Sequence, residues 1–183
     1  MKSSPSKLPG VVVIEPEVFG DDRGFFLETF NEQRYGPAGV ETRLVQLNHS
    51  RSGRGTLRGL HFQHPRGQDK LVWVPRGRVF DVAVDVRRGS PSFGQWTGCE
   101  LSDENHYQVW IPAGFAHGFL VLSDVADFMY ACSEYYAPGS EHVIAWNDPS
   151  IGIEWPEAKP VLSKKDASAP LLMEIDDLPK FEG

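Results

Sequence analysis

The segment Leu57-Arg58-Gly59-Leu60-His61-Phe62-Gln63 sets a histidine and an arginine into an otherwise apolar run. Histidine gains and loses its charge near neutral pH, so His61 is a candidate to take a proton from a substrate. The same side chain serves equally well as a hydrogen-bonded core residue. Between Ala126 and Tyr136 the chain alternates, and on an unbroken strand Phe128, Tyr130, Cys132, Glu134 and Tyr136 share a face. A phenol on that face can supply a proton, or it can pack its ring with a wetted hydroxyl. Gln46 and Asn48 also point together, and their amides can read the edge of a base. Proton transfer in an enclosed pocket is the chemistry open to these residue types.

Strands must carry them. Val11 to Glu15 and Phe25 to Phe30 read as strands around a turn at Gly20-Asp21-Asp22-Arg23-Gly24. The clearest period lies in Val79 to Arg87, where Phe80, Val82, Val84 and Val86 alternate with Asp81, Asp85 and Arg87, predicting a strand with one buried side. Arg58 and His61 would face opposite sides of a regular strand, so a shared pocket requires an irregularity, and Gly59 is the place for a bulge. Short strands broken by 18 Gly and 14 Pro residues, without crossover helices, predict an antiparallel sandwich or barrel. Only Asn31 to Tyr35 and Ser163 to Met173 look helical.

The 183 residues read as one domain, with a polar tail over 1–10 and a C-terminal extension with a short helix over 157–183. A formal charge of -7 and the lack of a basic run argue against nucleic acid, so any anionic ligand must be met by a few cations gathered locally. Cys99 and Cys132 show no metal or disulfide spacing. No apolar stretch has the length of a signal or membrane span, and a cytoplasmic protein is expected.

Pro112-Ala113-Gly114-Phe115-Ala116-His117 has the Pro-x-Gly-x-x-His form of the second motif of cupin barrels, in which the histidine looks into the barrel. Many cupins join that histidine to a His-x-His pair and a glutamate around a metal. Here the pair reads His61-Phe62-Gln63, and Gln is a weak neutral ligand, while Glu28 and Glu141 sit at no recognisable spacing. A barrel without metal or other cofactor is expected.

Several ordered segments resemble the dTDP-4-dehydrorhamnose 3,5-epimerase family. They include Phe19-Gly-Asp-Asp-Arg-Gly-Phe-Phe-Leu-Glu28, Leu57 to Gln63, Phe80-Asp-Val-Ala-Val-Asp85, Ser90 to Trp96, Trp110 to Phe119, Trp146-Asn-Asp-Pro149 and Leu162-Ser-Lys-Lys-Asp166. The resemblance runs from about Val11 to about Leu172. It implies an all-β, cupin-type jelly-roll β-barrel with short peripheral helices, working as a homodimer whose N-terminal strand crosses to the partner. The implied reaction inverts C3 and C5 of a 4-keto-6-deoxyglucose carried on dTDP.

Carried onto matching positions, the resemblance makes His61 the base, Asp166 its orienting carboxylate, Tyr130 the acid on the opposite face and Lys70 the cation for the C4 oxygen. It places Arg23, Arg58 and Lys165 at the diphosphate, and Gln46, Asn48 and Glu28 at the nucleotide. Tyr136 becomes the ring that stacks on thymine, and His117 and Glu141 further contacts to the ligand. Arg23 and Glu28 are expected to serve the neighbouring subunit's site.

Three departures from the family's pattern bear on substrate. Leu47 stands within Gln46-Leu47-Asn48, Ala131 follows Tyr130, and Asp69-Lys70-Leu71-Val72-Trp73 is altered. A charge lost near the pocket would point to another sugar or to one carbon only. The alternatives are therefore a 3- or 5-monoepimerase, a cupin 3,4-ketoisomerase, or a catalytically silent sugar-nucleotide-binding barrel.

Overall fold

The structure, a computed structural model, describes residues 1–40 and 42–182. Strands β1 (Lys2–Pro5), β2 (Val12–Glu15), β3 (Val18–Asp21) and β4 (Gly24–Leu27) precede helix α1 (Glu32–Tyr35). After it come β5 (Gln46–Gly53), β6 (Leu57–Gln63), β7 (Lys70–Arg76), β8 (Arg78–Asp85) and β9 (Trp96–Ser102). Then follow β10 (Gln108–Ile111), β11 (Phe115–Val121), β12 (Val125–Cys132), β13 (Glu141–Val143) and helix α2 (Lys164–Ala167). The helices are one turn each and begin at side-chain caps: Asn31 accepts from the Gln33 amide, Ser163 from the Asp166 amide.

Two antiparallel sheets make a cupin-type jelly roll. One has the order β1-β2-β10-β7-β12-β5, the other β13-β6-β11-β8-β9, and β3 and β4 form a separate hairpin. Between the sheets lie Val72 and Val74 of β7, Phe128 of β12, Ala83 of β8, and Phe119 and Val121 of β11. This inter-sheet core stops short at one end, where polar side chains replace apolar ones.

Sequence alternation misjudges two places. β8 is buried on both faces: Asp81 is 2% exposed and Asp85 fully buried, opposite the equally buried Val82 and Val84. The outer face is covered by Ile151 and by Leu172, Ile175 and Leu178 from the C-terminal extension, so the strand's polar residues point inward instead of to solvent. Asp85 is satisfied there by Arg87, Ser90 and Ser92. The first ten residues, polar in sequence, join the sheet: Lys2–Pro5 pairs with β2 and Leu8 is buried.

The β3–β4 hairpin is the opposite case. Phe19, Phe25 and Phe26 are more than half exposed; by register Phe19 and Phe26 share one face of the hairpin and Val18 and Phe25 the other, where the Phe25 ring lies 4.7 Å from that of His106. Among the described residues no helix is long and apolar enough to cross a membrane.

Candidate active site

A cavity of about 360 Å³ occupies the polar end of the jelly roll. His61 and Arg58 enter it from β6, and His117 from β11. Tyr130 enters from β12, Lys70 from β7 and Asn48 from β5, which belong to the other sheet. His61 and Tyr130 therefore reach the same space from opposite walls.

Arg58 and His61 share that space because β6 is irregular. His117 pairs with His61, but Phe119 pairs with Arg58, a shift of register at Gly59. Gly59 has φ +134, and a Cβ there would lie 2.6 Å from the Gly118 Cα, so both conformation and room demand glycine. Arg58 has no carboxylate partner among the described residues, and its Nε donates to Ser52 Oγ at 3.0 Å. It is an uncompensated cation at the cavity wall.

His61 Nε2 lies 2.6 Å from Asp166 Oδ1, and Ser163 donates to the other carboxylate oxygen at 2.8 Å. Burial pushes the Asp166 carboxyl up, but the hydrogen bonds from His61 and Ser163 outweigh it and hold it below the usual carboxylate range. An anion thus stands behind the imidazole. With Nε2 engaged, Nδ1 is the ring nitrogen left to meet a substrate proton.

Burial pushes the Tyr130 phenol up, with Cys132 adding and Arg58 opposing, so the hydroxyl keeps its proton at neutral pH. Burial acts on Lys70 in the other direction and lowers it, against the pull of Cys132, Glu141 and Asp81. Asn48 accepts from Gln46 Nε2 at 3.0 Å, which joins the two amides that the sequence sets side by side.

Tyr136 reaches the cavity by a different route from the one alternation predicts. β12 ends at Cys132, so Glu134 and Tyr136 do not continue its face; Glu134 turns out to Arg66 at 3.0 Å. The following loop returns Tyr136 to the mouth, where its hydroxyl donates to Glu141 Oε2 at 2.9 Å. Glu141 also pairs with Lys165, which does not itself line the cavity. Burial raises the Glu141 carboxyl, and the bonds from Lys165 and Tyr136 bring it below its ordinary value.

Arg23 and Glu28 stand apart from this cavity. Arg23 pairs with Asp21 on the exposed hairpin, and Glu28 accepts from Asn31 and Arg34 beside α1. The departures at Leu47 and Ala131 also lie away from it, against the expectation of a charge lost near the pocket. Leu47 is 60% exposed and is the register partner of Ala131, on the face turned away from Asn48 and Tyr130. Trp73 packs on the same outer side with Leu71. In the altered segment, Asp69 ties loops together by accepting from the Ala113 amide at 2.8 Å.

Sequence reasoning missed Asp81, whose Oδ2 lies 2.7 Å from His117 Nε2 with both residues buried. Its parity with Ala83 on β8 was the available signal. Gln63 and Gln68 also line the cavity, and the Gln63 amide is engaged by backbone, accepting from the Ala137 N–H at 2.8 Å. Among the described residues no three His, Cys, Asp or Glu side chains cluster as a metal site requires.

A family profile described as dTDP-4-dehydrorhamnose 3,5-epimerase matches residues 5–174. A protein of that name from Pseudomonas aeruginosa is 52% identical over 181 residues, covering 98% of this chain and all of the relative. The dTDP-6-deoxy-D-glucose-3,5-epimerase of Legionella pneumophila, solved with dTDP-4-keto-L-rhamnose, superposes with a TM-score of 0.97 at 51% identity, covering 100% and 99% of the two chains. A 3'-monoepimerase from Streptomyces bikiniensis, solved with dTDP-quinovose, gives 0.90 at 38% identity, covering 96% and 92%.

Proposed function

The chain belongs to the dTDP-4-dehydrorhamnose 3,5-epimerase family, and from that premise we propose how its cavity divides the work of inverting two carbons. It is an isomerase of nucleotide-sugar metabolism, converting dTDP-4-dehydro-6-deoxy-D-glucose to dTDP-4-dehydro-L-rhamnose on the route to dTDP-rhamnose. C3 and C5 both flank the C4 ketone, so loss of either proton gives an enolate. Inversion then requires a proton from the other face.

His61 takes the proton through Nδ1, and Asp166 orients the ring and offsets the charge that develops on it. Lys70 meets the C4 oxygen as it becomes an enolate, inside a water-poor wall where a cation acts strongly. Tyr130 returns the proton. The observation that supports this division is that His61 and Tyr130 stand on opposite sheets of one cavity. His117, held by Asp81, walls the sugar, and Arg58 and Lys165 meet the diphosphate. Gln46, Asn48 and Tyr136 hold the base.

The chain works as one domain, because its C-terminal extension supplies both Asp166 and the cover of one sheet. It also works as a homodimer. The exposed phenylalanines of the β3–β4 hairpin need a partner, and Arg23 and Glu28, remote from their own cavity, fit the neighbour's. Phe19→Asp with Phe26→Asp should yield monomers by sedimentation and cut turnover; a monomer of full activity would refute the shared site. Two free cysteines and a nucleotide-sugar substrate fit a cytoplasmic enzyme.

Turnover of dTDP-4-keto-6-deoxyglucose in deuterated water, followed by NMR, tests the reading. Label at both C3 and C5 is expected. Label at one carbon would make the protein a monoepimerase, and label at neither would end the proposal.

A further inference from the structure

The residues of the loop that presents Tyr136, from 134 to 137, lie beyond the end of β12 in no strand or helix. Tyr135 and Tyr136 are 59% and 51% exposed, so burial of their rings does not hold the segment down. Its backbone is held instead by the side chains of three glutamines.

Gln68 Nε2 donates to the Glu134 carbonyl at 2.8 Å, and Gln63 Nε2 to the Tyr135 carbonyl at 3.5 Å. Gln46 Oε1 accepts from the Tyr136 N–H at 2.9 Å, and Gln63 Oε1 from the Ala137 N–H at 2.8 Å. Four consecutive residues are thus each tied by one backbone group. Gln46 begins β5 and Gln63 ends β6, while Gln68 lies in the loop that leads into β7.

The amide is suited to this task because it donates and accepts at once. Gln63 uses both ends, since its Nε2 also donates to the Arg66 carbonyl at 3.0 Å. A carboxylate at that position would set its charge against two carbonyl oxygens. Gln46 extends the device: the amide that holds the Tyr136 N–H also donates to Asn48 Oδ1. The ring and the polar group beside it are therefore fixed relative to one another.

We infer that Gln46, Gln63 and Gln68 are positioning residues for the nucleotide base, holding 134–137 as a shelf already formed before ligand arrives. The inference rests on reading Tyr136 as the ring that stacks on that base. A loop ordered in advance spares the ligand the entropy of ordering it, so the clamp acts on nucleotide affinity through Tyr136.

A double-mutant cycle with dTDP as the titrant tests this by calorimetry. Gln63→Glu should weaken dTDP binding about tenfold in the native background and less than twofold when Tyr136→Ala is already present. In the free protein it should also speed hydrogen exchange at the Tyr136 and Ala137 amides. An equal loss in both backgrounds would overturn the proposal, as Gln63 would then act independently of the ring. Unchanged affinity together with faster exchange would overturn it too. Should Gln63→Glu fail to fold, Gln68→Met removes one tie without adding charge, and the same cycle applies with a loss of about threefold. If native protein does not bind dTDP, or Tyr136→Ala costs no affinity, the nucleotide reading itself fails and the clamp with it.

Discussion

The cavity holds two histidine–aspartate pairs, and their contrast says more than either alone. His61 and His117 are register partners on adjacent strands, with carboxylates at 2.6 Å and 2.7 Å. The His61 side chain is 31% exposed and its aspartate comes from a short helix outside the sheet. The His117 side chain is 9% exposed, its ring stacked against Phe128 and its aspartate on a central strand. A base must meet a substrate proton and then release it, which an open ring does and an enclosed one does not. The same two residue types thus make an acid–base group on one strand and a wall on the next.

Removing each carboxylate isosterically should separate the pairs. Asp166→Asn is expected to lower kcat by roughly 10²–10⁴-fold, the scale of a general base put out of action. Asp81→Asn should lower kcat/KM about tenfold, mainly through KM, as expected for loss of one charge-assisted contact that supports binding. Steady-state kinetics on both variants is the check. Equal losses of kcat would mean that both pairs transfer protons.

Alkaline pH gives a smaller test of the opposite wall. Burial lowers Lys70 and raises Tyr130, so the ammonium is lost below its ordinary range while ionisation of the phenol moves up. The alkaline limb of kcat should therefore fall below the ordinary lysine value of about 10.4. Lys70→Arg, which keeps its charge, should move that limb upward even though kcat drops. A limb that stays in place would assign it to another group.

Much of this was legible in the sequence, and the failures have physical causes. The bulge at Gly59 followed from asking how Arg58 and His61 could share a pocket. Alternation should also have turned Leu47 outward once Gln46 and Asn48 were placed inward, and the structure does so. Asp81 was hidden because alternation assumes one wet face, and β8 has none. Tyr136 was assigned to a strand that ends at Cys132, four residues too early to carry it. The loop between is fixed by glutamines distant in sequence, and no local pattern reports such bonds. The broken His-x-His pair gave Gln63 no role of its own, whereas its partners at 66, 135 and 137 show what it holds.

Proton exchange in deuterated water, measured beside epimer formation, tests the central claim that the two walls of the cavity have separate roles. His61→Ala should abolish both exchange and epimerisation, because the base is gone. Tyr130→Phe keeps the base and loses the opposing proton, so the enolate should form and be reprotonated from the His61 side. Deuterium would then enter with retained configuration, and epimer formation would fall far more than exchange. Near-native exchange in His61→Ala, or equal loss of exchange and epimer in Tyr130→Phe, would contradict the division of roles between the two sheets.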